Sequence, residues 1–366
     1  MKMRGLIRDE KMEVDGFLFL IPAFYECVGN RCSKDFRQVR GKRDFSAKFF
    51  RQGMMGMTTN LTKPISKKLL FSILIVTFGA EILLYLTRYS YLASTLYDGV
   101  MVSSFFIGWK LYGRLGGERA HLKSPRQHML QFTGAFLIFF LGSSFVNVYS
   151  SLTFEDFNED YNQYVQEYKE SQVIDGDGNE SVVPALQEQT IGDFFEKIDS
   201  IGTDIYNDLL AGLEEVWRLA YMILLLFVFK QVFPRRWERG SRDVFLMAAL
   251  FITSILFGID HTLDTEQPWA NRIGAIVTFA NMGFLFGVIL LWTRNLWLTV
   301  IVHAVYDITA TLSWSYIDYA VEYFTLGILL VHVCLVIFGK IHQKRSLQQS
   351  VTVQQEQLEG LSQKVE

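Results

Sequence analysis

The chain has 366 residues, half of them hydrophobic and 15% aromatic, with 31 Phe, six Pro and a formal net charge of −3. So small a charge gives no ground for nucleic acid or any other strongly charged partner, and the apolar richness is that of a membrane protein. Three cysteines, Cys27 and Cys32 among them, make no disulfide framework and match no strong metal or redox spacing.

Residues 1–60 are polar and mixed and read as a cytoplasmic extension without sustained periodicity, open to disorder. The apolar run at 17–25 is too short for a secretory signal and is interrupted by Pro22. Met54, Met55 and Met57 offer alternative starts just ahead of the first apolar segment. A hydrocarbon core takes roughly 20 apolar residues per helix. Eight segments qualify, at 69–88, 92–111, 129–150, 210–232, 243–262, 272–292, 296–314 and 322–340. The second is the poorest, because Asp98 and several serines dilute it. The expected fold is therefore all-α, a polytopic membrane helix bundle of about eight spans.

Basic residues gather at Lys67 and Lys68, from Lys110 to Arg126, from Arg235 to Arg242 and from Lys340 to Arg345. The positive-inside rule places all four clusters in the cytoplasm. Both termini are then cytoplasmic, and region 152–208, where only Lys169 and Lys197 are basic, lies outside. Within it Asp175, Asp177 and Asn179 imitate a calcium loop, but Glu180 and Leu186 stand where that loop needs glycine and a bidentate acid. An Asp-Gly turn is the better reading. Ile191, Phe194, Phe195, Ile198, Ile201, Ile205 and Leu209 then recur at helical spacing among acids, as in a helix lying on the membrane surface, an anchor or a lid. In the cytoplasmic tail 341–366, Leu347, Val351, Leu358, Leu361 and Val365 make a short heptad stripe, a route to self-association.

The chemistry-bearing residues fall in the later spans. Glu214 and Glu215 can both approach Arg218 on one helix face, and the same spacing pairs Phe257 with His261 and His303 with Asp307. Under the orientation above, all of them lie in the outer half of the bilayer, where ionisable groups are costly and usually functional. Each has a structural alternative. The Glu-Glu-Arg group could be a first-turn charge cluster complementing the helix dipole, and His261 an interfacial histidine near Asp260 and Asp264. His303 with Asp307 is harder to read as structure alone, because a buried carboxylate needs a partner. His332 has no acid one turn away and reads as a packed histidine.

Glu214-Glu215-Val216-Trp217-Arg218, Phe257-Gly258-Ile259-Asp260-His261 and His303-Ala304-Val305-Tyr306-Asp307, in this order on separate helices, resemble the motifs of the CAAX protease and bacteriocin-processing (CPBP, Abi) family of intramembrane proteases. The resemblance covers about 210–315 and implies a protease core in 209–340, helices four to seven, with spans one to three in 61–151. It implies that Glu214 activates water, that His261 and His303 hold that water or polarise the scissile carbonyl, that Asp307 orients His303 and that Glu215 pairs with Arg218, Phe257 supporting. One residue fewer than usual separates the glutamates from Arg218, which turns Arg218 by about 100° around the helix. The family is commonly described as metalloprotease, so zinc on His261 and His303 stays open; a metal-free, glutamate-dependent mechanism is slightly preferred because no His-Glu-x-x-His is present. The implied partners are membrane lipids and a membrane-associated or exported peptide. Two other classes remain, a non-catalytic scaffold or regulator of this family and an ion- or proton-coupled transporter.

Overall fold

A computed structural model describes residues 56–115, 125–153, 163, 191–240, 242–263 and 269–362. The chain divides into two units, Met1–Gln52 and Gly53–Glu366, of which the first lies outside the described residues. In the second, the described residues form helices and connecting turns, without strands.

Helix α1 runs over Lys67–Thr87, with a π-helical segment at Ile75–Gly79, and is followed by α2 (Tyr91–Tyr112) and α3 (Pro125–Thr153). Next come α4 (Ile191–Ala211), α5 (Glu214–Val232), the short α6 (Pro234–Glu238) and α7 (Arg242–Asp260). The chain ends with α8 (Trp269–Thr293), α9 (Leu296–Ser315) and α10 (Ala320–Ser362). Their ends follow local chemistry. The side chains of Ser66 and Asn295 accept backbone N–H groups at the starts of α1 and α9, and Pro234 opens α6 where its missing N–H costs nothing.

Helices form at all eight expected places, and six are long and apolar enough to cross a membrane: Lys67–Thr87, Pro125–Val146, Arg242–Asp260, Arg272–Thr293, Leu296–Ser315 and Ala320–His342. The other two are α2, diluted by polar residues, and α5, whose first turns hold Glu214, Glu215 and Arg218. Helix α5 is nonetheless the centre of the bundle. Val216, Leu219, Ala220, Met222, Ile223 and Leu226 are all fully buried, as are Glu215 and Arg218, which are enclosed by protein instead of facing lipid. Apolar side chains point outward on the peripheral helices, with Phe71, Phe251 and Phe338 each at least 60% exposed, as a lipid-facing surface requires.

Two apolar clusters make the core. One gathers α1, α2, α5 and α7 around Val216, Leu219 and Leu246; the other joins α3, α8 and α9 through Phe136, Phe139, Phe286 and Val302. Close backbone approaches lock helices together at two glycines. A Cβ on Gly212 would stand 2.7 Å from the Val300 carbonyl oxygen of α9, and one on Gly258 would run into the backbone of α8 at Ile276 and Ala280.

Residues 57–62, at the expected limit of the N-terminal extension, pack against the bundle. Met57 and Leu61 are buried in the first cluster, and Arg114 donates to the carbonyls of Lys63 at 2.8 Å and Pro64 at 2.9 Å. The segment is thus part of the bundle. At the other end α10 continues through the expected heptad segment, whose stripe side chains lie outside the described ones. The 175–186 turn also lies outside the described residues.

Candidate functional site

The start of α5, the end of α7 and the middle of α9 meet between the two clusters. Glu215 is fully buried, and its Oε1 atom lies 3.1 Å from Arg218 Nη2 and 3.1 Å from His303 Nδ1. The other ring nitrogen of His303 lies 3.3 Å from Asp307 Oδ2. One imidazole is therefore clamped between two carboxylates, a geometry suited to a ring that donates from both nitrogens. Phe286 stacks on the His303 ring at 4.4 Å and fixes its plane.

Glu214 points to the other histidine. Its Oε2 atom is 3.7 Å from His261 Nε2, whereas His261 Nδ1–H donates to the Phe257 carbonyl at 2.8 Å. That internal bond assigns the proton to Nδ1 and leaves Nε2 as the acceptor toward Glu214. Phe279 stacks on the His261 ring at 4.5 Å. The side chains of His261, Glu214 and Asp307 keep 24%, 18% and 25% exposure, against 2% for His303 and 0% for Glu215, so the accessible edge of the site is the Glu214–His261–Asp307 side.

Arg218 reaches the site despite the shortened spacing. Its Nη1 donates to the Gly283 carbonyl at 2.7 Å, and its guanidinium lies 4.2 Å from the Phe257 ring centroid and 5.4 Å from that of Phe286. A long side chain sandwiched by aromatics absorbs the rotation that the missing residue imposes. Phe257 accordingly supports the site by holding Arg218 and both histidines, its ring 4.2 Å from His261 and 5.6 Å from His303.

All seven residues singled out in the sequence thus converge. The structure adds others. Asp204 and Asp208 of α4 accept hydrogen bonds from Tyr316 at 2.8 Å and Thr311 at 3.2 Å, pinning α4 to the far end of α9. Ile205 and Leu209, each one position (about 100°) further round the helix, remain exposed, which suits an interfacial helix. Asp208 stands near His303 and Asp307, and burial pushes its carboxyl up to about 6. On α1, Glu81 accepts a hydrogen bond from Tyr221 of α5 at 2.9 Å. An acid inside an apolar span is a signal that the sequence carried; the partners of Glu81 and Asp208 were not readable. His332, read as packed, shares a 2.7 Å hydrogen bond with Thr133 on α3.

The same residues test the fit of a metal. Among the described residues no three His, Cys, Asp or Glu side chains are arranged to hold a metal ion. Three of the four imidazole nitrogens face groups other than a shared point: a backbone carbonyl and the two carboxylates flanking His303. The arrangement as it stands does not fit zinc.

Residues 214–309 match the family model described as type II CAAX prenyl endopeptidase Rce1-like. No curated protein and no solved structure matches the chain. The matched stretch begins at Glu214 and closes just past Asp307, so it holds all three motifs. The match of residues 214–309 to the Rce1-like model is consistent with the resemblance of the three motifs to the CPBP family.

Proposed function

We propose that this protein is an intramembrane endopeptidase in which Glu214 activates water to hydrolyse a peptide bond of a membrane-associated or exported peptide. The observation that carries the reading is the 3.7 Å separation of Glu214 Oε2 and His261 Nε2, two acceptors facing each other at the accessible edge of an otherwise buried site. That distance is too long for a direct hydrogen bond and suits a bridging water. Such a water donates one hydrogen to each group and turns its lone pairs toward a bound carbonyl.

In the chemical step the water oxygen attacks the scissile carbonyl carbon and its proton passes to Glu214. The tetrahedral oxyanion is stabilised by the nearby cationic groups, Arg218 and the His303 ring that donates from both nitrogens. Glu214 then returns the proton to the departing amine as the C–N bond breaks. Glu215 and Asp307 hold His303 in place and balance the cations. The protein groups suffice for this sequence of steps, which draws on no cofactor.

The charge distribution favours an outward-opening site with both termini cytoplasmic, and hence a substrate that is membrane-anchored or exported. The name of the matched model favours a second reading, a prenylated C-terminal peptide reached from the cytoplasm. Cysteine labelling in segment 154–190 separates them: modification from outside the cell fits the first, modification from inside alone the second.

The test of function compares membrane and secreted peptides from three strains: intact, deleted, and carrying Glu214→Ala at matched expression. A protease leaves the same uncleaved precursor in the deletion and the Glu214→Ala strain. If Glu214→Ala behaves as intact, the scaffold reading replaces catalysis.

A further inference from the structure

Outside the matched domain, α1 contributes a polar group to the site's surroundings. Glu81 is half-buried in an otherwise apolar span; it accepts a hydrogen bond from Tyr221 Oη of α5 at 2.9 Å and lies beside the carboxyl of Asp260 at the end of α7. Asp260 is the residue before His261, and Glu214 and Arg218 are its charged neighbours from α5. The π-helical segment Ile75–Gly79 ends two residues before Glu81. Such a segment adds a residue to the turn, re-aims the side chains beyond it and is frequently found at functional sites. Phe78, within it, packs edge-on against Tyr221 at 5.8 Å and fixes the approach.

A buried carboxyl in a span is retained against a desolvation cost, so its geometry needs a reason. Here it ties three helices at the point where α7 ends and His261 begins. We infer that Glu81 is a positioning residue for the proposed hydrolysis: by holding Asp260 it fixes the end of α7, and with it the His261 ring opposite Glu214. The inference rests on the reading given under Proposed function.

Glutamine at position 81 keeps hydrogen-bonding groups for both Asp260 and Tyr221, whereas leucine fills the same space with neither. The experiment measures kcat and KM of the purified full-length protein in liposomes, on the precursor that accumulates in the Glu214→Ala strain, for the intact protein, Glu81→Leu, Glu81→Gln and Glu214→Ala. Misplacement of a catalytic group by about 1 Å costs on the order of 100-fold, so Glu81→Leu is expected to lose about 10- to 100-fold in kcat. Its KM should stay within about twofold, and Glu81→Gln should recover kcat to within about threefold of the intact protein, as a positioning role predicts. If Glu81→Leu does not purify as a folded monodisperse protein, Tyr221→Phe takes its place. It removes only the hydroxyl that donates to Glu81, and about a 3- to 10-fold fall in kcat is expected.

The inference is overturned if the leucine variant keeps its kcat, if its loss appears in KM, or if glutamine fails to rescue. Intact activity in Glu214→Ala overturns the hydrolytic reading itself, and the inference with it. An inactive Glu214→Ala beside an unimpaired Glu81→Leu overturns only the role of Glu81.

Discussion

Removing Glu215 should be the most damaging single change to the stability of the bundle. Its Oε1 atom is the shared partner of Arg218 and His303, at 3.1 Å from each, and all three side chains are at most 2% exposed. Glu215→Ala leaves Arg218 with only its bond to Gly283 and its aromatic neighbours, and frees His303 Nδ1 in a dry pocket. Breaking a buried charge pair by deleting one partner costs about 3–5 kcal/mol, which is roughly two to four powers of ten in the folding equilibrium. Replacing both charges with apolar residues of similar volume, as in Glu215→Leu with Arg218→Met, should recover part of that loss, because Arg218 is no longer an orphaned charge and only His303 Nδ1 is left without its partner. The assay is equilibrium unfolding in detergent micelles, comparing both single variants with the double one. A cost below about 1 kcal/mol for Glu215→Ala, or strictly additive losses in the double variant, would refute the argument that the pair is coupled and buried.

Three further outcomes are expected. Gly212→Ala should destabilise by about 1–3 kcal/mol and impair cleavage. Its Cβ would meet the Val300 carbonyl oxygen at 2.7 Å and Ala304 Cβ at 2.9 Å, forcing α5 away from α9; unchanged thermal unfolding and unchanged turnover would contradict this. Asp208 has its folded pKa raised to about 6 by burial. The folded state therefore holds a proton that the unfolded state gives up near 3.9, and stability falls as pH rises from about 4 to about 6. Asp208→Asn should flatten that part of the stability profile and reduce hydrogen exchange in α4 near neutral pH; a slope identical to that of the intact protein would rule Asp208 out as its source. Finally, the purified protein should contain well below one zinc per chain and keep its activity in a chelator. A stoichiometry near one that disappears in His303→Ala would overturn the metal-free mechanism.

The site was legible in the sequence to the extent that its contacts are local on a helix. Glu215 with Arg218, Phe257 with His261 and His303 with Asp307 are three- or four-residue spacings, and each pair does meet. The fold class was legible for a similar reason, since long apolar stretches leave few alternatives to membrane helices. What the spacing could not show is which partner a group takes from another helix. Glu215 was expected to pair with Arg218 and is also the acceptor for His303, 88 residues away. Arg218 binds a carbonyl at Gly283, and Glu81 meets Tyr221 across 140 residues. Such pairings depend on how helices rotate against one another, and the π-helical segment that precedes Glu81 has no periodic signature of its own. The packing of Met57 and Leu61 was not readable either, because they sit in a polar stretch too short to show a pattern, yet they are buried by the turn that Arg114 secures.

The central claim is that Glu214 activates a water molecule for peptide hydrolysis. The most direct measurement places the purified protein and the accumulated precursor together in liposomes prepared in water enriched in heavy oxygen, with Glu214→Ala in parallel. The account predicts one new carboxyl terminus carrying a single heavy oxygen for the intact protein and uncleaved precursor for the variant. Equal cleavage by Glu214→Ala, or no cleavage by the folded intact protein, would contradict it.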